Sequence, residues 1–146
     1  MTDSWVETGD WTALGGDAAR IRDAVFVREQ RIPPEWELDG EDLLSLHAVA
    51  YRVDTATGAR RAIATGRLLP SGTIGRVAVL ADARGQGTGS AVLHALLDAA
   101  RHRGEPVVRL YALDAAVSFY ARHGFAAVGE PFVEVGVRHV EMARAP

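Results

Sequence analysis

Sixteen residues, Gly75 to Ser90, hold the densest chemistry in the chain. A β-branched strand runs into a turn with one arginine and three glycines (Arg84, Gly85, Gln86, Gly87, Thr88, Gly89, Ser90), and an amphipathic helix follows at once. Glycine lets the backbone approach a ligand closely, and the first N–H groups of a helix have no partner of their own. Arg84 adds a charged donor beside them. Strand, glycine turn and helix start therefore point to a cradle for a phosphate-bearing ligand. A tight strand-to-helix connection that needs glycine for its own geometry is the plainer alternative.

Two better-known phosphate cradles do not fit. A P-loop carries Lys-Ser/Thr after its last glycine, and here Gly89 is followed by Ser90-Ala91-Val92. A dinucleotide fingerprint wants its third glycine one residue later and an acidic residue about 20 positions on. The next strand, Val107 to Tyr111, ends without a carboxylate. What remains is Arg-x-x-Gly-x-Gly, read as Arg84, Gly87 and Gly89. A second segment follows about thirty residues later, Ala115-Ala116-Val117-Ser118-Phe119-Tyr120-Ala121-Arg122-His123-Gly124-Phe125. Together the two segments resemble the GCN5-related N-acetyltransferase (GNAT) superfamily. Its glycine segment wraps the pyrophosphate of acetyl-CoA, and its later helix ends in Phe-Tyr-x-x-x-Gly-Phe.

The resemblance implies a mixed α/β fold with a mostly antiparallel central sheet flanked by helices. It implies acetyl-CoA as acyl donor, held by Arg84, Gly85, Gln86, Gly87, Thr88, Gly89 and Ser90. It also implies that Val77 and Val79 pair their backbone with the pantetheine arm, and that a strand N–H near Val79 faces the thioester carbonyl. Fixed donors aimed at a developing oxyanion stabilise a transition state. Tyr120 becomes the candidate general acid for the departing thiolate, since a phenol has an ordinary pKa near 10 and recovers its proton afterwards. Without the resemblance, Phe119 and Tyr120 read more simply as aromatic core. Three positions depart from the usual pattern: Ala81 stands where many relatives have proline, Ala83 where many have a bulky residue, and Leu113 where many carry an amide that touches the cofactor.

The general base has several candidates. If Phe132 to Met142 is one strand without a bulge, His139 shares a face with Val133, Val135, Val137 and Glu141. His47 alternates with Val49, Tyr51 and Val53 and so points inward. An imidazole suits amine deprotonation, directly or through water, but each histidine also reads as a satisfied core residue. His94, His102 and His123 fall on helices as surface or packing residues. No histidine pair has metal-ligand spacing, so no metal is expected. The chain has no cysteine and no Gly-x-Ser-x-Gly elbow, which removes a cysteine thioester and a serine elbow as acyl carriers. Direct attack by the acceptor on the bound thioester is the simplest route.

Residues 26–42 resemble the ElaA-like branch of the superfamily. Val25-Phe26-Val27-Arg28-Glu29-Gln30 and the acidic run Asp39-Gly40-Glu41-Asp42 precede a strand bearing His47. In that branch the segment lies over the acceptor side. Its carboxylates, Glu29, Glu35, Glu37, Asp39, Glu41 and Asp42, would attract a cationic amine, although a solvated acidic loop explains most of them as well. Glu29 stands apart because a helix could aim it into the cleft, as a third candidate base.

The elements that must position these groups follow from pattern. Trp5 to Thr8 suggests a first strand, and Asp17 suggests the cap of a helix running to about Arg31, ended by Pro33-Pro34. Three antiparallel strands are predicted over Leu46 to Val53, Arg61 to Leu69 and Thr73 to Leu80. Val92, Leu93, Leu96, Leu97 and Ala100 mark the buried stripe of the helix after the glycine turn, and Gly104 its stop. The spacing further predicts a helix over Ala115 to His123.

A chain of 146 residues, 48% hydrophobic, suits a single domain over residues 1–146 with a real core. A net charge of −3 argues against a general nucleic-acid or membrane-surface partner, and no apolar run approaches the roughly 18 residues of a membrane span. The first residues, Met1 to Trp5, lack a signal peptide's basic and apolar regions. With no cysteine present, a cytoplasmic location is the default.

The reading is an acetyl-CoA-dependent N-acetyltransferase that moves an acetyl group to a primary amine, small-molecule or peptide, in a ternary complex. The alternative is a non-catalytic acyl-CoA sensor that keeps the cradle without acid or base. Relatives often pair through their sheets, which leaves a homodimer open.

Overall fold

A computed structural model describes residues 4–146; the first three residues, on which the leader expectation partly rests, lie outside it. Strand β1 (Ser4–Gly9) leads into helix α1 (Trp11–Arg22), which continues without a break as a π-helical segment, Asp23–Glu29. A short helix α2 (Pro34–Glu37) and a 3-10 turn (Asp42–Leu44) precede the antiparallel strands β2 (Leu46–Val53), β3 (Arg60–Leu68) and β4 (Ile74–Val79). Then come α3 (Thr88–His102), β5 (Val108–Leu113), α4 (Val117–Arg122), β6 (Ala126–Ala127), β7 (Phe132–Glu134) and β8 (Val137–Arg144). The result is a mixed α/β fold with antiparallel sheets flanked by helices. One sheet has the order β1-β2-β3-β4; the other has β5-β8-β6 with β7 on β8.

The first sheet is covered on both faces. Ala48, Ala50, Ile63 and Ala64 pack toward the α3 stripe of Val92, Leu93, Leu96 and Leu97. The alternate residues Val49, Tyr51 and Ala78 meet Leu14, Ala18 and Ile21 of α1. The period of 2 in the strands and 3.6 in the helices makes this division. Gly66 of β3 sits where α3 presses closest: a Cβ there would stand 2.9 Å from Leu96 Cδ1 and 3.0 Å from Val92 Cγ1. Opposite Gly66, the β3–β4 ladder breaks register, so that Arg76 and Val77 face one residue. This is a β-bulge, with Arg76 at φ 52°, and it bends β4 away from its neighbour.

Two expectations are corrected. Asp10, not Asp17, caps α1, its Oδ1 accepting the Ala13 N–H at 2.9 Å. Asp17 lies within α1 and accepts the Tyr51 hydroxyl at 2.6 Å. The C-terminal run is not one strand: Val135 and Gly136, at φ 54° and 72°, form a two-residue turn between β7 and β8. Both central residues with positive φ give the turn whose twist matches a hairpin.

Candidate functional site

The two sheets meet side by side at β4 and β5. Thr73 and Arg109 form a parallel bridge, and the Arg109 N–H donates to Gly72 O at 3.1 Å. Beyond that point the two strands form no ladder among the described residues. They part, and a cleft opens between their edges. Backbone N–H and C=O groups on a parted strand are available to a ligand. This is where Val77 and Val79 lie.

At the end of β4 the chain turns through Gly85 (φ 75°) and Gly87 (φ 79°) into α3. A Cβ at either glycine would meet nothing within 4 Å, so it is the left-handed backbone, and not crowding, that calls for glycine. Gly87 occupies the N-cap position and no side chain caps the helix. The helical ladder begins with Ala91 N–H donating to Gly87 O at 3.1 Å. The N–H groups of Thr88, Gly89 and Ser90 precede it, at the positive end of the helix dipole. A pocket covers them, walled by Val79, Phe119, Arg122 and His123. An anionic group fits this donor set.

A second pocket, of about 320 Å³, opens farther back along β4. Gly75, Arg76 and Val77 of β4 form one wall, and Leu110 to Leu113 of β5 the other. Ala116 and Tyr120 close it from the α4 side; Phe26, Gln30, Ile32, Trp36 and Glu37 close it from the α1 side. Phe119 and Tyr120, adjacent in sequence, thus face the two pockets in turn. Burial pushes the Tyr120 phenol up to about 12, which keeps it protonated at any physiological pH.

Comparison with known proteins matches this arrangement. A model of the acetyltransferase (GNAT) domain fits residues 41–145. The chain belongs to the GNAT family. It is 35% identical over 130 residues to an uncharacterized N-acetyltransferase, YjcF, of Bacillus subtilis (strain 168), covering 88% of this chain and 90% of that one. It resembles the crystal structure of an acyl-CoA N-acyltransferase from Pseudomonas aeruginosa at 32% identity and TM-score 0.80, over 99% and 100% of the two chains. It resembles Escherichia coli ElaA at 28% identity and TM-score 0.81, over 99% of each. As a GNAT enzyme it is an acyltransferase that draws its acyl group from a CoA thioester.

Within this GNAT fold the three candidate bases are separated. His139, on β8, is paired in register with Leu113 at the pocket wall and stacks on Phe132, ring centroids 5.5 Å apart. Phe132 in turn meets the edge of Tyr111, a pocket residue. The shared face with Val137 and Glu141 holds along β8; the continuation to Val133 and Val135 is broken by the hairpin turn. His139 Nδ1 lies 2.9 Å from Val137 O. A carbonyl only accepts, so Nδ1 carries the hydrogen and Nε2 keeps a free lone pair.

His47 does not reach the cleft. It is 1% exposed, sits 4.9 Å from the Trp11 ring, and its Nε2–H donates to Asp42 O at 2.9 Å. Burial holds its pKa below the ordinary value, against the pull of Asp42. Its inward direction was legible, but it points to the α1 core. Glu29 is also engaged elsewhere: Oε2 and Oε1 accept from Arg84 Nη1 and Nη2, each at 2.7 Å. Arg84 Nε donates to Val79 O at 3.0 Å. The charged donor expected beside the cradle is therefore occupied by a carboxylate.

Three carboxylates of the acidic segment, Glu37, Asp39 and Asp42, are likewise paired. Arg22, buried in α1, donates to Asp42 Oδ1 and Oδ2 at 2.7 and 3.1 Å and to Glu37 Oε1. Arg67 of β3 donates to Asp39 and Asp42. Arg76 reaches Glu37 O at 3.1 Å and Asp39 Oδ2 at 3.2 Å. Hydrogen bonds from Arg67 hold the Asp39 carboxyl well below the usual carboxylate range. Three carboxylates meet three guanidinium groups, so the segment attracts a cationic amine far less than its composition suggested. This network escaped sequence reading, because its partners lie 15 to 39 residues apart and buried arginine is uncommon. Among the described residues there is no cluster of potential metal ligands and no helix long and apolar enough to cross a membrane.

Proposed function

We propose that this protein is an acetyl-CoA-dependent N-acetyltransferase acting on a primary amine in a ternary complex. The observation that carries the reading is a pair of pockets along β4, an uncapped helix start at one and Tyr120 at the other, with the adjacent Phe119 and Tyr120 walling one each.

Bound acetyl-CoA would supply an activated acetyl thioester. The N–H groups of Thr88, Gly89 and Ser90 hold its pyrophosphate, with Gly85, Gln86 and Gly87 shaping the turn and Arg84 at its rim. Val77 and Val79 offer backbone partners along the cleft, and the bulge at Arg76–Val77 turns this edge toward the reacting centre. Tyr120 Oη gives its proton to the sulfur as the C–S bond breaks and the N–C bond forms. His139 Nε2 accepts the proton that leaves the amine, through a water, and each group exchanges its proton with solvent afterwards. Glu29 serves Arg84 and His47 serves the core.

The test is amine-dependent thiol release from acetyl-CoA by the wild type and Tyr120→Phe. Loss of turnover with retained acetyl-CoA affinity supports the reading. Equal turnover removes Tyr120 from it. Absence of transfer to any amine, with intact binding, favours the sensor reading.

A further inference from the structure

The acceptor half of the cleft says what kind of amine it takes. Carboxylates are scarce there: Glu37 is the acidic residue of the lining, and Oε1 of its carboxylate is engaged by Arg22. Beside it the lining carries the Arg76 guanidinium, whose Nε stands 3.7 Å from the same oxygen. The neighbouring Asp39 and Asp42 are spent on Arg67, Arg76 and Arg22. One ammonium can be met by the remaining oxygen of Glu37, whereas a second positive charge would find Arg76 and no further carboxylate in the lining.

The rest of the wall on this side is apolar and open. Trp36 is 56% exposed and Tyr111 54%, and with Phe26, Ile32 and Leu113 they face the same space. Indole and phenol rings left bare at a cavity are surfaces on which a flat apolar group gains both burial and ring contacts. They offer little to a sugar, whose hydroxyls would lose water without partners. Trp36 and Phe26 come from the α1 side of β4, away from the α4 side that Tyr120 closes, and Tyr111 faces them from β5; this side awaits the acceptor and not the acyl chain.

From these contacts we infer that the acceptor is a monoamine carried on an apolar, aromatic body of one or two rings. Polyamines and amino sugars are disfavoured. This rests on the acetyltransferase reading above, and Trp36 is its specificity-determining residue.

Acetyl-CoA binding is measured first by calorimetry, then kcat/KM with acetyl-CoA for phenethylamine, tryptamine, spermidine and glucosamine. The two aromatic amines should lead the other two by about tenfold or more, and Trp36→Ala should remove that lead by raising KM. Trp36 is exposed enough that its loss spares the fold, and Leu113→Ala gives a second, milder erosion of the same lead. Spermidine or glucosamine in front, or all four equal, overturns the inference. So does hexanoyl-CoA raising turnover with every amine alike, which would make the apolar space an acyl site. If acetyl-CoA binds but no amine turns over, phenethylamine must still quench tryptophan fluorescence saturably in the wild-type complex and not in Trp36→Ala; no such quench overturns the inference. If acetyl-CoA fails to bind, the acetyltransferase reading falls, and the phenethylamine titration of the free protein decides the pocket by itself.

Discussion

Glu29 and Arg84 form a two-pronged ion pair, 2.7 Å at each prong, at the glycine turn before α3. Arg84 belongs to the glycine turn and Glu29 to the π-helical end of α1, 55 residues earlier. The pair ties the end of α1 to the turn that opens α3. It also sets a negative charge beside the proposed pyrophosphate site.

Removing that charge while leaving the arginine in place should help the donor bind. Glu29→Gln is expected to tighten acetyl-CoA binding by about threefold, as suits a half-exposed pair, and to leave kcat within about twofold. Calorimetry and steady-state rates check both. A fall in kcat of more than tenfold, as expected on removing a base, would return Glu29 to the role of base.

Tyr120 is held as the neutral phenol by burial, with its pKa near 12. Its acid form is present below that value and lost above it. The rate should therefore show no falling limb from Tyr120 up to about pH 10. Tyr120→Phe should lower kcat by about a hundredfold with acetyl-CoA affinity unchanged. Rates from pH 6 to about 10 in both proteins test this.

His139, the proposed base, has Nε2 free because Nδ1–H is spent on Val137 O. His139→Gln should cut kcat by about tenfold at neutral pH and leave acetyl-CoA binding alone. If the rate is unaffected, the amine loses its proton to solvent directly.

His47 sets a pH dependence of stability, not of rate. Its folded pKa lies below the ordinary value of 6.5 because burial disfavours the imidazolium. The unfolded chain then binds the extra proton first, so stability is full above about pH 6.5 and declines as the pH falls below it. Urea unfolding at pH 5.5 should give about 1 kcal/mol less than at pH 7.5. His47→Gln, which keeps a donor toward Asp42 O, should abolish the difference. The depressed carboxyls of Asp39 and Asp42, whose ordinary value is 3.8, titrate below this window and do not confuse it.

Local pattern carried much of the fold. The strand Leu46–Val53 was legible to the residue because its alternation is unbroken, and α3 because its stripe ends at Gly104. The failures have physical causes. Val133, Val135, Val137 and His139 alternate straight through a turn that places valine at positive φ, a position valine rarely takes. Asp17 looked like a cap because the residue type suits one, yet its partner is Tyr51, 34 residues away. The same holds for the site. The glycine turn and Tyr120 are local motifs, whereas the engagement of Glu29 and the neutralisation of Glu37, Asp39 and Asp42 depend on arginines from distant strands and helices.

Acetyl-CoA is proposed to lie in the β4–β5 cleft with its pyrophosphate on the uncapped start of α3. Calorimetric titration of acetyl-CoA into the wild type and Gly87→Glu, with ATP as a control and circular dichroism confirming that the variant folds, tests it most directly. The account predicts saturable binding of acetyl-CoA but not ATP, lost in Gly87→Glu, where bulk and negative charge fill the cradle. Equal affinity in the two proteins, or no binding to the wild type, would contradict it.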